Sequence, residues 1–302
     1  MSHFDWDDLR FFLAVARAGR LTVAARRLGA DHATVSRRVT ALESALKTTL
    51  FDRRPQGYVL TAHGERLVSA AEAIETAAMA ASADIGGADL ALSGTVRVGA
   101  PDGFGSLFLA PRLGALAERH PGLELQLVAM PRLLSLSKRE ADIAIALGPP
   151  KEGRVVARKL TDYRLGLYAS PGYVAGHAPI RARDDLFEHR LIGYIDDLIF
   201  MPELDYLDEV CRGLRPRVQL SSLVAQIEAT AAGAGLCVLP AFVVRGRHDL
   251  VPVLADDVSL TRTFWLIVHA ELRDVARVRA TADFVVEQTK AARSLFMEAP
   301  GA

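Results

Sequence analysis

The chain has 302 residues, enough for about two domains, and 36 Lys and Arg residues balance 36 Asp and Glu residues to give zero net charge. Half of the residues are hydrophobic and 24% are charged, which excludes a disordered chain. Two cysteines, Cys211 and Cys237, are too few for a small disulfide-stabilised secreted domain. The longest apolar stretch, 231–244, is too short to span a membrane, and the N-terminus lacks a signal-peptide pattern, so we expect a cytoplasmic protein.

The zero net charge hides an uneven distribution along the chain. Residues 1–66 carry 11 basic and 7 acidic side chains, a local net charge of +4, and the remaining residues carry −4. A basic N-terminal segment favours attraction to a polyanion such as DNA, whereas the acidic remainder weakens nonspecific adherence to it. The total charge therefore does not exclude a nucleic-acid partner.

Apolar residues of the N-terminal segment recur at helical spacing and predict three helices. The first ends at Gly19, Thr22 is expected to cap the second, and Asp31 is expected to cap the third. The apolar positions of these helices are Trp6, Leu9, Phe12, Leu13 and Ala16, then Ala24, Ala25 and Leu28, then Val35, Val39, Leu42 and Leu46. Because Gly29 gives a tight turn between two short helices, the second and third helices predict a helix-turn-helix.

The next segment predicts a hairpin and a long helix. Residues 50–60 read as two short strands around a Pro/Gly turn, a hairpin wing, and Thr61 is the expected N-cap of an Ala-rich helix that runs to about residue 90. The apolar stripe of this helix is Leu67, Ala70, Ala71, Ile74, Ala77, Ala78, Ala81 and Ile85. Such a helix needs a partner. A core helix of the following domain is one interpretation, but Gly86, Gly87 and Gly94 separate the stripe from that domain and favour the pairing of two subunits.

From residue 95 onward, short apolar runs alternate with helical segments, which is typical of an α/β domain. The predicted strands are 95–99, 123–128, 143–146, 155–159, 165–169, 191–194, 218–220, 236–239 and 264–269. The predicted helices include 106–119, 223–232 and 275–292. The region is too long for one small sheet and suits two α/β lobes.

The N-terminal end of the third helix carries small, hydrogen-bonding and cationic side chains. The residues left exposed when its valines turn inward are His32, Ala33, Thr34, Ser36, Arg37 and Arg38. Small residues let a helix approach the floor of the DNA major groove, and the polar groups can reach base edges and phosphates. Arg53 and Arg54 on the wing are positioned to contact the flanking phosphate backbone. Without the surrounding motif, a solvated helix face would be the simpler interpretation.

Residues 4–61 resemble the winged helix-turn-helix of LysR-type transcriptional regulators. The features that keep the family spacing are Leu9 to Phe12, Thr22, Ala24-Ala25, Leu28, Val35-Ser36-Arg37, Leu42-Glu43, Leu50-Phe51, Arg53, Leu60-Thr61 and Gly64. The resemblance implies an all-α winged helix-turn-helix domain, a long linker helix that pairs two subunits, and a C-terminal α/β effector domain of two lobes similar to periplasmic binding proteins. The implied boundaries are 4–61 for the DNA-binding domain with its helix-turn-helix at 21–40, 62–90 for the linker helix, 93–295 for the effector domain, about 93–161 and 267–295 for lobe I, and about 162–266 for lobe II.

The resemblance also implies functional residues in the N-terminal domain. It places base reading at His32, Ala33, Ser36 and Arg37 and a backbone contact at Arg53, and our DNA-binding candidates further include Thr22, Thr34, Arg38 and Arg54. This chain departs from the family at three positions. His32 stands where Gln is frequent, Gln56 occupies a wing site that is often basic, and Lys47 replaces a frequent glycine, so the left-handed cap expected there is strained or differently built.

By the same resemblance, a small effector binds between the two lobes. The effector-binding candidates are Pro101, Asp102, Phe104, Ser106, Met130, Arg132, Tyr194, Asp196, Ser221 and Ser222. Ser106 and Ser222 lie near predicted helix N-termini, where free amides favour an anion such as an organic acid. Asp102 and Asp196 would instead favour a ligand with an amino group, so both ligand classes stay open.

The sequence contains little that indicates catalysis or a cofactor. It has no His-x-x-His, paired-cysteine, Walker-type or Gly-x-Ser-x-Gly motif, and its eight histidines are scattered. We therefore predict no enzyme, no cofactor and no metal, but a sequence-specific regulator that binds promoter DNA as a homodimer or a dimer of dimers. The alternative is a metabolite-binding module or enzyme whose helical head mediates protein contacts.

Overall fold

A computed structural model of the chain describes residues 5–55, 57–86, 92–130, 141–150 and 154–297. The chain divides into two compact units, Met1–Leu90 with Asp274–Ala276, and Ala91–Arg273 with Arg277–Ala302. None of the helices within the described ranges combines the length and the apolar character that crossing a lipid bilayer requires.

The first unit begins with the three predicted helices, α1 (Trp6–Ala18), α2 (Leu21–Leu28) and α3 (His32–Leu46). The first two end at glycines in the left-handed conformation, and α3 ends at Lys47 with φ 52°. The expected left-handed cap is therefore present without a glycine, at a conformational cost of roughly 1–2 kcal/mol. The core that these helices share with the segments after them consists of Leu9, Phe11, Phe12, Leu13, Val15, Ala24, Ala25, Val35, Val39, Leu42, Leu50, Phe51, Val68 and Ala71.

Two expectations about the first two helices are wrong. Thr22 does not cap α2, because that helix begins at Leu21 with Arg20 at the N-cap position and no side-chain cap. Trp6 is 61% exposed although it shares the apolar spacing of α1, since it is the first residue of the helix and lies beyond the packed core. The N-cap prediction for Asp31 is confirmed, because its Oδ1 accepts a hydrogen bond of 2.7 Å from the Thr34 amide.

The predicted wing is an antiparallel hairpin of β1 (Phe51–Arg54) and β2 (Gly57–Leu60). It is attached to the helices through the amide of Tyr58, which donates to the carbonyl of Gly19 over 2.8 Å. Gly57 makes this approach possible, because its φ is +143° and a Cβ there would lie 2.4 Å from the Gly19 oxygen. Gln56, the wing position that is often basic in the family, lies outside the described residues.

The predicted linker helix is α4 (Ala62–Gly86), and its N-cap is Thr61 as expected, since the Gly64 amide donates to Thr61 Oγ1 over 3.1 Å. One face of α4 joins the core of the first unit through Val68 and Ala71. Arg17 of α1 strengthens this packing with ion pairs of 3.2 and 2.7 Å to Glu72 and Glu75. Residues 87–90 of the predicted helix, and the side chains of Ala77, Ala81 and Ile85, lie outside the described part of the chain.

The second unit is built on one mixed sheet, which has nine strands within the described residues. In chain order the strands are β3 (Gly94–Ala100), β4 (Leu123–Ala129), β5 (Ile143–Ala146), β6 (Val155–Ala169), β7 (Leu191–Gly193), β8 (Val218–Gln219), β9 (Leu236–Pro240), β10 (Val251–Val253) and β11 (Leu260–His269). Their order across the sheet is β4-β3-β5-β11-β6-β9-β7-β8, with β10 also paired to β6.

Helices follow most of these strands. They are α5 (Leu113–Arg119), α6 (Pro171–Ala175), α7 (Leu207–Val210), α8 (Leu223–Ala231), α9 (Ala241–Val244), α10 (Ala276–Ala291) and α11 (Arg293–Met297). A π-helical turn, Phe104–Leu109, and a 3₁₀ turn, Ala110–Arg112, precede α5, and further 3₁₀ turns are Arg183–Glu188, Asp196–Leu198, Pro202–Leu204 and Ala270–Leu272.

Two strands connect the two halves of the sheet. The parallel set β4-β3-β5 lies beyond β11, and the parallel set β9-β7-β8 lies beyond β6, while β6 and β11 pair antiparallel with each other. Their register shifts between Phe264 and Trp265. This irregularity falls close to the predicted lobe boundaries near residues 161 and 266, whose exact positions stay predictions.

Several predicted elements differ in extent. Segments 155–159 and 165–169 form one strand, because the polar residues between them pair with β11 rather than forming a turn. The helix predicted from Ser106 begins earlier, at Asp102, so Ser106 lies past the first turn and not at the N-terminus. β10 and the helices α6, α7, α9 and α11 were not predicted, since each has five residues or fewer and too little periodicity to detect.

Candidate DNA-binding face and effector cavity

The exposed face of α3 carries the residues predicted to read bases. His32, Ala33, Ser36 and Arg37 together line one open concavity on the surface of the first unit. The other residues that line it are Leu21, Thr40, Ala41 and Ser44. Arg37 is exposed, and its guanidinium has no hydrogen-bond partner among the residues that the structure describes. The fold therefore brings the four base-reading candidates to one accessible surface.

The start of α3 is held by a local hydrogen-bond pair. The carboxylate of Asp31 accepts from the amide of Thr34 over 2.7 Å and from its hydroxyl over 2.9 Å. The two bonds, the backbone one foremost, lower the pKa of Asp31, so its charge stabilises the helix N-terminus. The Thr34 hydroxyl is thus engaged in the cap and helps to position the helix start, and its contact with DNA stays a prediction.

Arg38 faces α1 instead of the concavity. Its Nη1 lies 2.9 Å from the carboxylate of Asp5 and 3.0 Å from that of Asp8, and its guanidinium lies 5.6 Å from the ring centre of Phe11. These contacts anchor the recognition helix to α1 and compete with DNA for the guanidinium. DNA binding by Arg38 stays a prediction.

The wing arginines are both on the surface, with different contacts. Arg53 donates over 3.1 Å to Glu43 Oε2 and over 3.1 Å to Thr40 Oγ1, and it remains half exposed. Arg54 is exposed and lies 3.6 Å from the carboxylate of Asp52. Each guanidinium has five N–H donors, so both can still bind a phosphate oxygen. Thr22, the remaining DNA-binding candidate, is exposed in the first turn of α2.

Glu43, which enters the sequence prediction only as part of the family spacing, is a site residue without a predicted role. It is only 9% exposed, and its Oε1 accepts from the amides of Leu50 and Phe51 over 2.8 and 3.2 Å. The same carboxylate pairs with Arg53, so it links α3, the start of the wing and a wing arginine. The sequence feature that could have indicated its role is its position beside Leu42, which places an acidic residue on a helix face that is otherwise apolar.

The second unit contains a cavity at the carboxyl ends of its parallel strands. Pro101 follows β3, Leu147 follows β5, Tyr194 follows β7 and Pro240 ends β9, and all four line this space. Ligands of open α/β sheets bind in the crevice outside the carboxyl ends of the strands. The cavity is small, ≈ 30 Å³, which is room for about two water molecules, so a small organic molecule enters it only when the wall residues move apart.

Seven aromatic residues line the cavity wall. They are Phe104, Tyr163, Tyr194, Phe200, Tyr206, Phe242 and Phe264. Tyr163 and Phe264 are stacked with ring centres 4.2 Å apart, and Phe104 lies 4.7 Å from Phe264. Burial raises the pKa values of Tyr163, Tyr194 and Tyr206, so their hydroxyls are neutral. The wall is thus a mainly apolar aromatic surface with a few hydroxyl groups.

Asp102 is the acidic residue in this wall, and it is 8% exposed. Its Oδ1 accepts from the Gly103 amide over 2.9 Å, and its Oδ2 accepts from the Ser222 hydroxyl over 2.7 Å and from the Val224 amide over 3.5 Å. Ser222 is also the N-cap of α8, as predicted, because its Oγ accepts from the Ala225 amide over 3.4 Å. The carboxylate of Asp102 therefore lies at the N-terminus of α8.

The effector-binding candidates are only partly brought together. Pro101, Asp102, Phe104 and Tyr194 line the cavity, and Ser222 reaches it through Asp102. The other described candidates are not among the lining residues: Ser106, Ser221 and Asp196 are exposed, and the amide of Met130 donates to the Ala100 carbonyl over 3.1 Å. These four residues lie outside the cavity wall, and their contact with an effector stays a prediction. Arg132 lies outside the described residues.

Asp196 lies in a groove that adjoins the cavity. The two spaces share Tyr194, Leu204 and Tyr206, and the groove also contains Asp205 and Asp208. Within the described ranges, no group of three or more His, Cys, Asp or Glu side chains is arranged to hold a metal ion.

A winged helix-turn-helix joined to a two-lobed α/β unit with a cavity at its strand ends defines a class of protein, a DNA-binding protein with a ligand-binding domain. Residues 6–65 match the family described as bacterial regulatory helix-turn-helix protein, lysR family, and residues 91–290 match the LysR substrate binding domain. The chain belongs to the LysR family of transcriptional regulators. It combines the DNA-binding and effector-binding domains of that family.

Relatives with assigned names agree with this membership. The HTH-type transcriptional regulator CrgA of Neisseria meningitidis serogroup C (strain 8013) is 27% identical over 288 residues, which cover 93% of this chain and 96% of that protein. The HTH-type transcriptional regulator DgdR of Burkholderia cepacia is 30% identical over 270 residues, 84% of this chain and 86% of that protein. The solved structure of CrgA, a LysR-type transcriptional regulator from Neisseria meningitidis, matches with a TM-score of 0.59 at 26% identity and covers 95% of this chain and 99% of that one.

Proposed function

We propose that this regulator recognises a promoter sequence through His32, Ala33, Ser36 and Arg37 of α3, while a small molecule in the cavity of the second unit controls the outcome. The observation that carries the proposal is that these four residues line one concave face, with an exposed Arg37 guanidinium that has no partner within the described residues. Arg presents two parallel donors to guanine, and small residues such as Ala33 and Ser36 let the helix backbone approach the bases.

The half-exposed guanidinium of Arg53 and the exposed one of Arg54 would contact phosphates beside the groove. Such contacts position a protein without reading sequence, and they make affinity depend strongly on salt. Glu43 supports this role, because it ties the wing backbone and Arg53 to the recognition helix.

We further propose that two copies pair through α4, as a homodimer that can associate into a dimer of dimers. Ala70, Ile74 and Ala78 are exposed at intervals of four residues, while Val68 and Ala71 of the same helix pack in the core of the first unit. Small and apolar side chains at this spacing suit helix-to-helix packing. Two heads related by a two-fold axis would bind a partly palindromic site on cytoplasmic DNA.

The cavity supports binding rather than catalysis. Its ionisable lining groups are a carboxylate held by neutral donors and three tyrosine hydroxyls whose pKa values are raised by burial. A bound molecule would act on DNA binding only by having different affinities for two arrangements of the protein.

The test is to select bound sequences from random duplexes and to measure affinity for a selected and a scrambled duplex over a range of salt concentrations. We expect a steep loss of affinity with salt, and an Arg37→Ala loss of about 1–3 kcal/mol on the selected duplex with little change on the scrambled one. Arg279→Ala, an exposed arginine of α10, is the matched control. A wild-type chain that does not distinguish the two duplexes at any salt concentration would disprove the proposal and favour a head that mediates protein contacts.

A further inference from the structure

The cavity wall carries negative charge without a compensating positive group. Within the described residues that line it, Asp102 is acidic and none is Lys, Arg or His. The groups that bind the Asp102 carboxylate are the Gly103 amide, the Ser222 hydroxyl and the Val224 amide, all of them neutral. Hydrogen bonds stabilise this carboxylate but do not cancel its charge, which acts strongly in an apolar surrounding.

Asp102 also fills the position that an anionic ligand would use. A helix N-terminus binds anions through its free amides, and α8 has nine residues with Ser222 at its N-cap. In this protein the carboxylate at that terminus is the chain's own, 2.7 Å from the Ser222 hydroxyl. An organic acid would have to displace it or bind beside a like charge, and both are unfavourable.

The rest of the wall suits a cation with an apolar body. Aromatic faces attract cations through the negative potential above the ring, and they exclude polar molecules that cannot pair. Phe104, Tyr163 and Phe264 form a packed group with centre distances of 4.2–4.7 Å beside Asp102. A carboxylate accepts about four hydrogen bonds, so Asp102 keeps acceptor capacity for a ligand donor.

The adjoining groove has the same sign of charge. Asp196 and Asp205 are exposed there, and the arginine among its lining residues, Arg215, is paired with Asp208 over 3.2 Å. Carboxylates at the rim raise the local concentration of cations and lower that of anions.

We infer that the effector of this protein is a small organic cation, whose ammonium group binds Asp102 and whose apolar body packs against the aromatic wall beside it, which has to widen to admit the ligand. This inference deepens the proposed function and rests on it, since it names the ligand class of the same cavity. It selects the amino-group-bearing ligand from the two classes that the sequence left open.

The test uses three probes with one skeleton, 2-phenylethylammonium, 2-phenylethanol and 3-phenylpropanoate, titrated calorimetrically into the full chain. We expect the ammonium probe to bind at least about tenfold more tightly than the other two. Asp102→Asn keeps an acceptor for Ser222 and removes the charge, so it should abolish that preference. Asp256→Asn removes an equal charge from an exposed position and should preserve it.

Equal or tighter binding of the carboxylate or the alcohol by the wild-type chain overturns the inference, and so does the absence of ammonium binding up to a concentration on the order of 10 mM. If Asp102→Asn no longer binds 2-phenylethanol either, the variant has lost its cavity. The relative affinities of the wild-type chain for the three probes then test the inference by themselves. DNA binding is measured on the same preparations. If the wild-type chain recognises DNA in a salt-dependent way but does not prefer the ammonium probe, only the ligand class is rejected. If the wild-type chain does not recognise DNA, the proposed function is rejected.

Discussion

Asp102 and Ser222, 120 positions apart in the chain, share a hydrogen bond of 2.7 Å. The bond connects the turn after β3 to the N-cap of α8, and these segments belong to the two lobes that the family resemblance predicts. Ser222 Oγ accepts from the Ala225 amide and donates to Asp102, so one hydroxyl completes a helix cap and orients the charged group of the cavity.

Ser222→Ala should therefore destabilise the second unit. Loss of the cap and of a hydrogen bond to a buried carboxylate predicts a decrease of about 1–3 kcal/mol in the free energy of unfolding. Urea unfolding followed by circular dichroism measures it. Ser221→Ala changes an exposed neighbour and should stay within about 0.5 kcal/mol of wild type. Equal effects of the two variants would mean that the Asp102 bond adds nothing to stability.

Gly57→Ala should detach the wing from α1. The φ of +143° is unfavourable for alanine, and its Cβ would lie 2.4 Å from the Gly19 carbonyl oxygen, so we expect a loss of about 1–3 kcal/mol and weaker DNA binding. Thermal unfolding and duplex affinity measure both effects. Gly114→Ala in α5, where the added Cβ would meet nothing within 4 Å beyond its chain neighbours and the backbone of its own helix, should instead be neutral or stabilising. A Gly57→Ala chain with unchanged DNA affinity would contradict the role given to the wing contact.

Ile74→Glu should weaken the association of two copies. Ile74 is 36% exposed on the side of α4 that does not pack on the core, and a charge there would be buried in a helix pair. We expect a dissociation constant at least about tenfold higher in sedimentation equilibrium. Val174→Glu places the same charge on an exposed apolar residue of α6 and serves as the control. An unchanged oligomeric state in Ile74→Glu would exclude this face of α4 as the contact.

The two cysteines should differ sharply in reactivity. Cys237 is buried in β9, where desolvation raises the pKa of its thiol to about 12, whereas Cys211 is partly exposed. Because the thiolate is the reactive form, at about pH 8 we expect one rapidly titrating thiol in the native chain and two after denaturation. Cys211→Ser should remove the rapid reaction. Rapid modification that persists in Cys211→Ser would show that Cys237 is accessible.

The sequence determined the elements that depend on neighbouring residues. The apolar periodicity predicted α1, α2 and α3, and the N-cap at Asp31 followed from its side chain. The family spacing predicted which face of α3 binds DNA. These features depend on interactions within a few residues, so a linear pattern is sufficient to predict them.

Only the tertiary structure separated residues that look alike in sequence. Arg37 and Arg38 are adjacent and chemically equal, yet Arg37 lines the concavity whereas Arg38 meets Asp5 and Asp8, which the packing of α1 on α3 brings to it. The sequence likewise did not predict that the Asp102 carboxylate lies at the N-terminus of α8. Its hydrogen bond with Ser222 shows this. Such outcomes arise from contacts between distant segments, which local patterning does not encode.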